Sequence, residues 1–276
     1  MNILIDALSA SMNLSDLLKH ALMLLALCTV RVYAAFLVIP ATSDQALQGV
    51  VRNGLCLTLG TFVAFGQPLD LVRTLPLGGL VLLMAKEALL GLLLGYAAAT
   101  VFWVAEGAGM LIDTQAGFNS VQQSNPLSGE QSTPVGNMMS QLAIAGFYML
   151  GGMLVLTGVL FESFAWWPLQ VAAPDWSNLL ETFVHLQVGR YIEGVAKLAA
   201  PILLMLVLID LGFGFIGKTA EKLEPHSLAQ PVKAAVAMAM LSLLVALFFE
   251  QAKPALSMRD LGKDIRLWLH AAPSVP

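Results

Sequence analysis

The chain has 276 residues, 58% of them hydrophobic and only 12% charged, with a mean hydropathy of +0.78. Soluble domains carry roughly 25% charged residues, so this composition excludes an ordinary water-soluble fold and puts the chain among integral membrane proteins. A net charge of −4 is too small to draw nucleic acid, and Cys28 and Cys56, both inside apolar stretches, supply neither a disulfide framework nor a metal site.

Residues 1–16 contain Asp6 and Asp16 but no Lys or Arg, so the basic start of a signal peptide is missing. The first apolar stretch is therefore expected to be retained, although Val32-Tyr33-Ala34-Ala35 imitates a cleavage site. Windows of about 20 residues, enough to cross roughly 30 Å of hydrocarbon, follow near 17–39, 47–65, 79–104, 138–161, 195–216 and 232–249. The expected fold is all-α, an integral membrane-type bundle of about six hydrophobic helices.

Most of these windows hold an ionisable group: Arg31 in the first, Arg52 near the start of the second, Lys86-Glu87 in the third and Asp210 late in the fifth. A charge at the centre of a membrane helix costs at least roughly 2.5–3.5 kcal/mol, so each needs a partner, water or a purpose. Adjacent helical residues point about 100° apart, so Lys86 and Glu87 are expected to take their main partners elsewhere. Asp210 is the leading candidate for Lys86 within the chain. Glu87, Gly91 and Gly95 are spaced by four, and Ala98 and Ala99 continue the smooth face. Such a face admits another helix closely, as a groove headed by the carboxylate or as plain helix packing.

The longest connection, Asp113 to Asn137, is polar and has no Lys or Arg. Structureless loops above roughly 12–15 residues are usually functional or disordered. Asp113 sits between Gly109 and Gly117, where the chain is expected to turn from helix to loop with a carboxylate at the edge, in a capping, turn or functional role. A second break, 162–180, contains Trp166-Trp167-Pro168 and Trp176 and suits an interfacial belt. Beyond Gln251, Leu261, Ile265, Trp268 and Leu269 trace a short amphipathic helix among mixed charges. Arg73 and Arg190 on the same side favour a cytoplasmic tail. His20, His185, His226 and His270 are scattered, with no zinc pair, nucleophile elbow or P-loop, so no enzyme and no cofactor are expected. Asp113 and Asp210 lack the glycine motifs of an intramembrane aspartyl protease.

The polar marks run in order: Arg31 with Pro40, Lys86-Glu87 with Gly91 and Gly95, Gly109-x-x-x-Asp113-x-Gln115-x-Gly117, Asn125-Pro126, Pro201 with Asp210, and Pro231-Val232-Lys233. In this order the chain resembles the FliR/SctT family of type III export-apparatus proteins over residues 15–250. The element at 109–117 is the most specific part of the likeness. The resemblance implies a non-enzymatic export-gate subunit in the bacterial inner membrane, assembled with SctR/FliP-like and SctS/FliQ-like subunits beside an SctU/FlhB-like switch protein. Secreted proteins in transit and membrane lipid would be its other partners, with no nucleic acid. It further implies helices arranged as tilted hairpins raised towards the periplasmic side, with a gate domain over 1–250 and a charged cytoplasmic tail over 251–276.

By the same likeness, Arg31, Pro40, Lys86, Glu87, Gly91, Gly95, Pro201, Asp210 and Lys233 would be interface or structural residues. Gly109, Asp113, Gln115, Gly117, Phe118 and Pro126 would belong to a pore plug in the loop of about 113–137. The wording of Gln115–Pro134 favours the injectisome branch over the flagellar one. Two other readings stand beside this one. A secondary transporter or ion channel would use Lys86, Glu87 and Asp210 as a relay, although the two halves show no internal repeat. A plain scaffold would use its polar groups only to fix helix register.

Overall fold

The first helix, α1 (Asn2–Val38), ends where Pro40 dictates. The residue before a proline is pushed into extended geometry, and Ile39 has φ −78° and ψ 121°. Pro40–Thr42 forms one 3₁₀ turn, and the Thr42 hydroxyl lies 2.6 and 3.0 Å from the Phe36 and Ile39 carbonyls, covering oxygens that a helix end leaves unpaired. The computed structural model describes residues 2–44, 46–68, 70–73, 75–118, 123–124, 131–171, 176–219, 225–256 and 262.

Seven further helices follow among the described residues: α2 (Gly49–Phe65), the four-residue α3 (Asp70–Arg73), α4 (Leu77–Ala116), α5 (Pro134–Met149), α6 (Gly152–Trp166), α7 (Trp176–Thr219) and α8 (Pro225–Leu256). A pair of two-residue strands, β1 (Gln123–Ser124) and β2 (Gln131–Ser132), runs antiparallel with Gln123 opposite Ser132. The described residues are otherwise helices and the short connections between them, in keeping with the expected all-α class. The amphipathic helix expected beyond Gln251 falls mainly on 257–276, outside the described residues apart from 262.

All six apolar windows fall in helices, but six crossings is a correction to make. Among the described residues three helices are long and apolar enough to cross a membrane, Leu14–Val38 of α1, α4 and Phe183–Thr219 of α7. A fourth is reached if α5 and α6 count as one broken span. The window at 47–65 becomes α2, with 17 residues, short of the roughly 20 that the hydrocarbon core demands. The window at 138–161 is interrupted at Leu150-Gly151, where Gly151 takes φ +74° and the helices bend by 73°. The long helices overshoot the membrane: at 1.5 Å per residue, the 40 residues of α4 and the 44 of α7 are about 60 and 66 Å long. Pro201 lies inside α7, which continues past it despite losing one backbone donor.

Packing divides the chain into two units, residues 1–99 with 156–176, and 100–155 with 177–276. In the first, α1 lies against α2 and against the early part of α4, with Leu27, Cys28, Ala35, Phe36, Cys56 and Leu90 fully buried. Arg52 pairs with Asp44 at 3.3 Å beside the start of α2. Burial pushes the Cys56 thiol up to about 11, against a smaller lowering by Arg52, so it stays a neutral thiol at pH 7. In the second unit Phe102, Ile112, Phe147 and Leu206 are buried, and Phe102 and Phe147 meet edge to face at 5.5 Å.

Gly91 and Gly95 are where α1 and α4 come closest. A methyl group on Gly91 would lie 2.2 Å from the Arg31 carbonyl oxygen, and one on Gly95 2.6 Å from that of Ala35. Both obstacles are backbone and cannot swing aside. Gly78, on the same helix, has nothing within 4 Å. Gly91→Ala is expected to destabilise the detergent-solubilised protein by about 1–3 kcal/mol, whereas Gly78→Ala holds or raises its thermal midpoint through helix propensity. Equal midpoints for the two variants would show that the close approach does not exist.

Candidate functional site

In the first unit the polar residues converge on one buried cluster. Arg31 of α1 donates through Nε to Glu87 Oε2 at 2.6 Å, through one terminal nitrogen to Ser163 Oγ at 3.0 Å, and through the other to the Trp167 carbonyl at 2.8 Å. Its guanidinium lies 4.0 Å from the centre of the Phe164 ring. Arg31, Glu87 and Ser163 are each 0% exposed. The planar fork of arginine suits a site that needs several donors at fixed angles. Ser163 in turn donates to Leu160 O at 2.6 Å, which fixes the hydroxyl as an acceptor for Arg31.

Lys86 departs from two expectations. Its ammonium is 3.1 Å from Glu87 Oε1, so the adjacent pair does interact: the four-carbon stem curls back across the angle that separates the two Cβ atoms. Its other contacts are the carbonyls of Pro168, Leu169 and Val171, at 3.3, 3.1 and 3.2 Å, rather than Asp210. The cluster holds two cations and one carboxylate. The surplus positive charge faces carbonyl oxygens of the turn just after α6, at the end where a helix dipole is negative. The Trp166-Trp167-Pro168 turn, read from sequence as an interfacial belt, thus supplies acceptors that sequence reasoning missed, together with Ser163 and Phe164. Its proline was the one available signal, since it ends α6 and leaves carbonyls unpaired.

The second unit has its own polar site around the end of α4. Asp113 does not mark the start of the loop, because α4 continues to Ala116. Its buried carboxylate Oδ2 instead accepts the backbone N–H groups of Val135 and Gly136, at 2.9 and 3.1 Å, in the first turn of α5. Gly109 makes this possible, since a methyl group there would lie 2.6 Å from the Gly136 Cα. Gln115 donates to Asp210 Oδ2 at 2.9 Å. Lys233 pairs with Asp210 Oδ1 at 2.9 Å and donates to the Gln115 carbonyl at 3.2 Å, so a cation from α8 covers the negative end of α4. Gly117 follows with φ +84°, a left-handed helix cap, against the Gln230 side chain. Phe118 is half-buried beyond it, and Pro126 lies outside the described residues.

Chemically, both sites neutralise charge and fix helix ends. Among the described residues no group of three or more His, Cys, Asp or Glu side chains converges on a common point. Glu87→Gln would leave Arg31 buried beside a neutral amide, and removing one partner of such a pair costs roughly 3–5 kcal/mol. Asp210 is 39% exposed, and Asp210→Asn should cost roughly 1 kcal/mol or less. Thermal unfolding in detergent, followed by tryptophan fluorescence, should rank the two variants in that order; the reverse ranking would refute the burial argument.

Residues 22–258 match the family described as bacterial export proteins, family 1. The chain is 34% identical over 232 residues to Yop proteins translocation protein T of Yersinia pestis, covering 83% of this chain and 88% of that one. It is 24% identical to the surface presentation of antigens protein SpaR of Salmonella typhimurium (86% and 87% covered) and 26% identical to the flagellar biosynthetic protein FliR of Bacillus subtilis (80% and 85% covered). With the family match spanning most of its length and relatives drawn from secretion and flagellar systems alike, the chain belongs to the FliR/SctT family of type III export proteins.

Proposed function

We propose that this chain is a non-enzymatic subunit of a type III export gate, joining SctR/FliP-like and SctS/FliQ-like subunits in an inner-membrane pore for secreted proteins. The observation that carries the proposal is α7. Its span Phe183–Thr219 has a mean hydropathy of 2.3 in its most apolar window, yet only 17% of that window is buried within the chain. Leu204, Leu208, Leu211 and Phe215 are all exposed there. Apolar surface on this scale needs lipid or protein against it. Because α4 and α7 are about twice as long as the roughly 30 Å hydrocarbon core, neighbouring subunits are the natural cover for the excess. Helices raised towards the periplasmic side, as the family resemblance implies, would carry that excess there.

The closure of both polar sites within the chain favours this reading over a transporter or channel, since a relay needs groups that can exchange partners and Glu87 and Asp210 are each engaged. Residues 1–250 would act as one gate domain, with 251–276 as a cytoplasmic tail facing an SctU/FlhB-like switch protein. Gly109, Asp113, Gln115, Gly117 and Phe118 would frame the loop that plugs the closed pore. The higher identity to a Yop translocation protein than to a flagellar protein supports the injectisome branch.

Affinity purification of the tagged chain should recover several small hydrophobic proteins in a stable complex. Substrate uptake by the chain alone in liposomes would instead favour the transporter. Shortening 119–132 should leave that complex intact and make bacterial membranes that carry it leak ions. A trimmed complex that stays ion-tight would remove the plug from this account.

A further inference from the structure

The first turn of α5 has two sets of capping groups and uses only one. Thr133 occupies the N-cap position with extended geometry, φ −88° and ψ 152°, ahead of Pro134 at the first helical position. A threonine there ordinarily accepts the N–H of the second or third helical residue. Those residues are Val135 and Gly136, the two donors that Asp113 of α4 has taken. The Thr133 hydroxyl makes no capping bond and, 7% exposed, has no partner among the described residues. It nonetheless hangs over the same turn, 2.7 Å from where a methyl group on Gly136 would stand.

Space lies between that turn and α8. A cavity of about 450 Å³ is lined by Phe118, Pro134 and Val135 with Ala234, Ala235 and Met238 of α8, all apolar. The turn is thus held by a carboxylate from another helix, and has beside it both room to move and a spare cap of its own. A buried hydroxyl without a partner is costly, and this one regains a partner as soon as Asp113 lets go.

We propose that the start of α5 is a two-position element: latched to Asp113 in the state described here, and capped by Thr133 when it withdraws from α4 towards α8. The exchange trades one acceptor for another at the same two N–H groups, so the helix end stays satisfied, while the buried Asp113 carboxylate, whose Oδ1 has no partner among the described residues, must then take up water or another donor. The proposal deepens the gate reading of this segment and rests on it for its purpose, since release of α5 would free the exit of the loop assigned to the plug.

Hydrogen exchange on the full chain, purified with the proteins that accompany it, tests the device directly. In the peptide containing Val135 and Gly136, Asp113→Asn should raise exchange about fivefold or more, the loss of roughly one cap. Thr133→Val should leave exchange unchanged or lower it in the natural background but raise it about a further fivefold in the Asp113→Asn background, with Thr133→Ser restoring protection there. Equal effects of Thr133→Val in both backgrounds would mean that the hydroxyl is already engaged, and no effect in either would mean that it never caps; both results overturn the proposal. Secretion by bacteria relying on the Thr133→Val chain separates device from purpose. It should fall with the exchange pattern intact, whereas unchanged secretion with that pattern would keep the exchange of caps and overturn the gate reading of the segment.

Discussion

The bond between Arg31 and Glu87 sets the terms for the first unit. Two opposite charges at 2.6 Å, both sealed from solvent, must each recover several kcal/mol of lost hydration, and the bond between them needs help from further polar groups and charge around it. That demand places Ser163 and the Trp167 carbonyl on the far side of the guanidinium and Lys86 on the second carboxylate oxygen. It also explains the glycines below Glu87. Arg31 reaches the carboxylate because α1 can press its backbone against Gly91 and Gly95, so close approach and ion pair require one another. A one-residue slip of α1 would turn the arginine away from its one anionic partner among the described residues.

The second unit solves a related problem by pairing charge with backbone. Asp113 supplies negative charge to the amino end of α5, and Lys233 supplies positive charge to the carboxyl end of α4, each matching the sign of the local helix dipole. Asp210 and Gln115 complete that arrangement at a half-exposed position, where water shares the work. Since each unit pairs its buried charges internally, the later part of α7 can present Leu204, Leu208, Leu211 and Phe215 outward without a charge among them.

Arg31, Lys86, Glu87, Asp113 and Asp210 stand out in the sequence because charge is rare in apolar windows, and the spacing of Glu87, Gly91 and Gly95 announces a close helix contact. Their partners are far less visible. Arg31 and Glu87 are 56 residues apart, and nothing in hydropathy tells how two helices are rotated about their axes. Lys86 binds carbonyls, which every residue possesses and no motif marks. Gly109 and Gly117 flank Asp113 and suggest a turn there, so the end of α4 is read too early; Gly109 in fact lies within the helix and lets α5 approach. Hydropathy windows find apolar helices but not their full lengths, nor the break that Gly151 puts into one of them. Membrane position and partner surfaces depend on other molecules and have no local signature.

The acceptors around Lys86 have an evolutionary corollary. Three of its four contacts are main-chain oxygens, which no point mutation can delete, so the exposed side chain at Val171 is free to drift while the ammonium at position 86 is not. Arg31 holds its carboxylate through side chains on both partners, so each can change only if the other changes with it. Two cations a few ångströms from one carboxylate are therefore inherited under different rules, one anchored by the shape of a turn and the other by the identity of its partner.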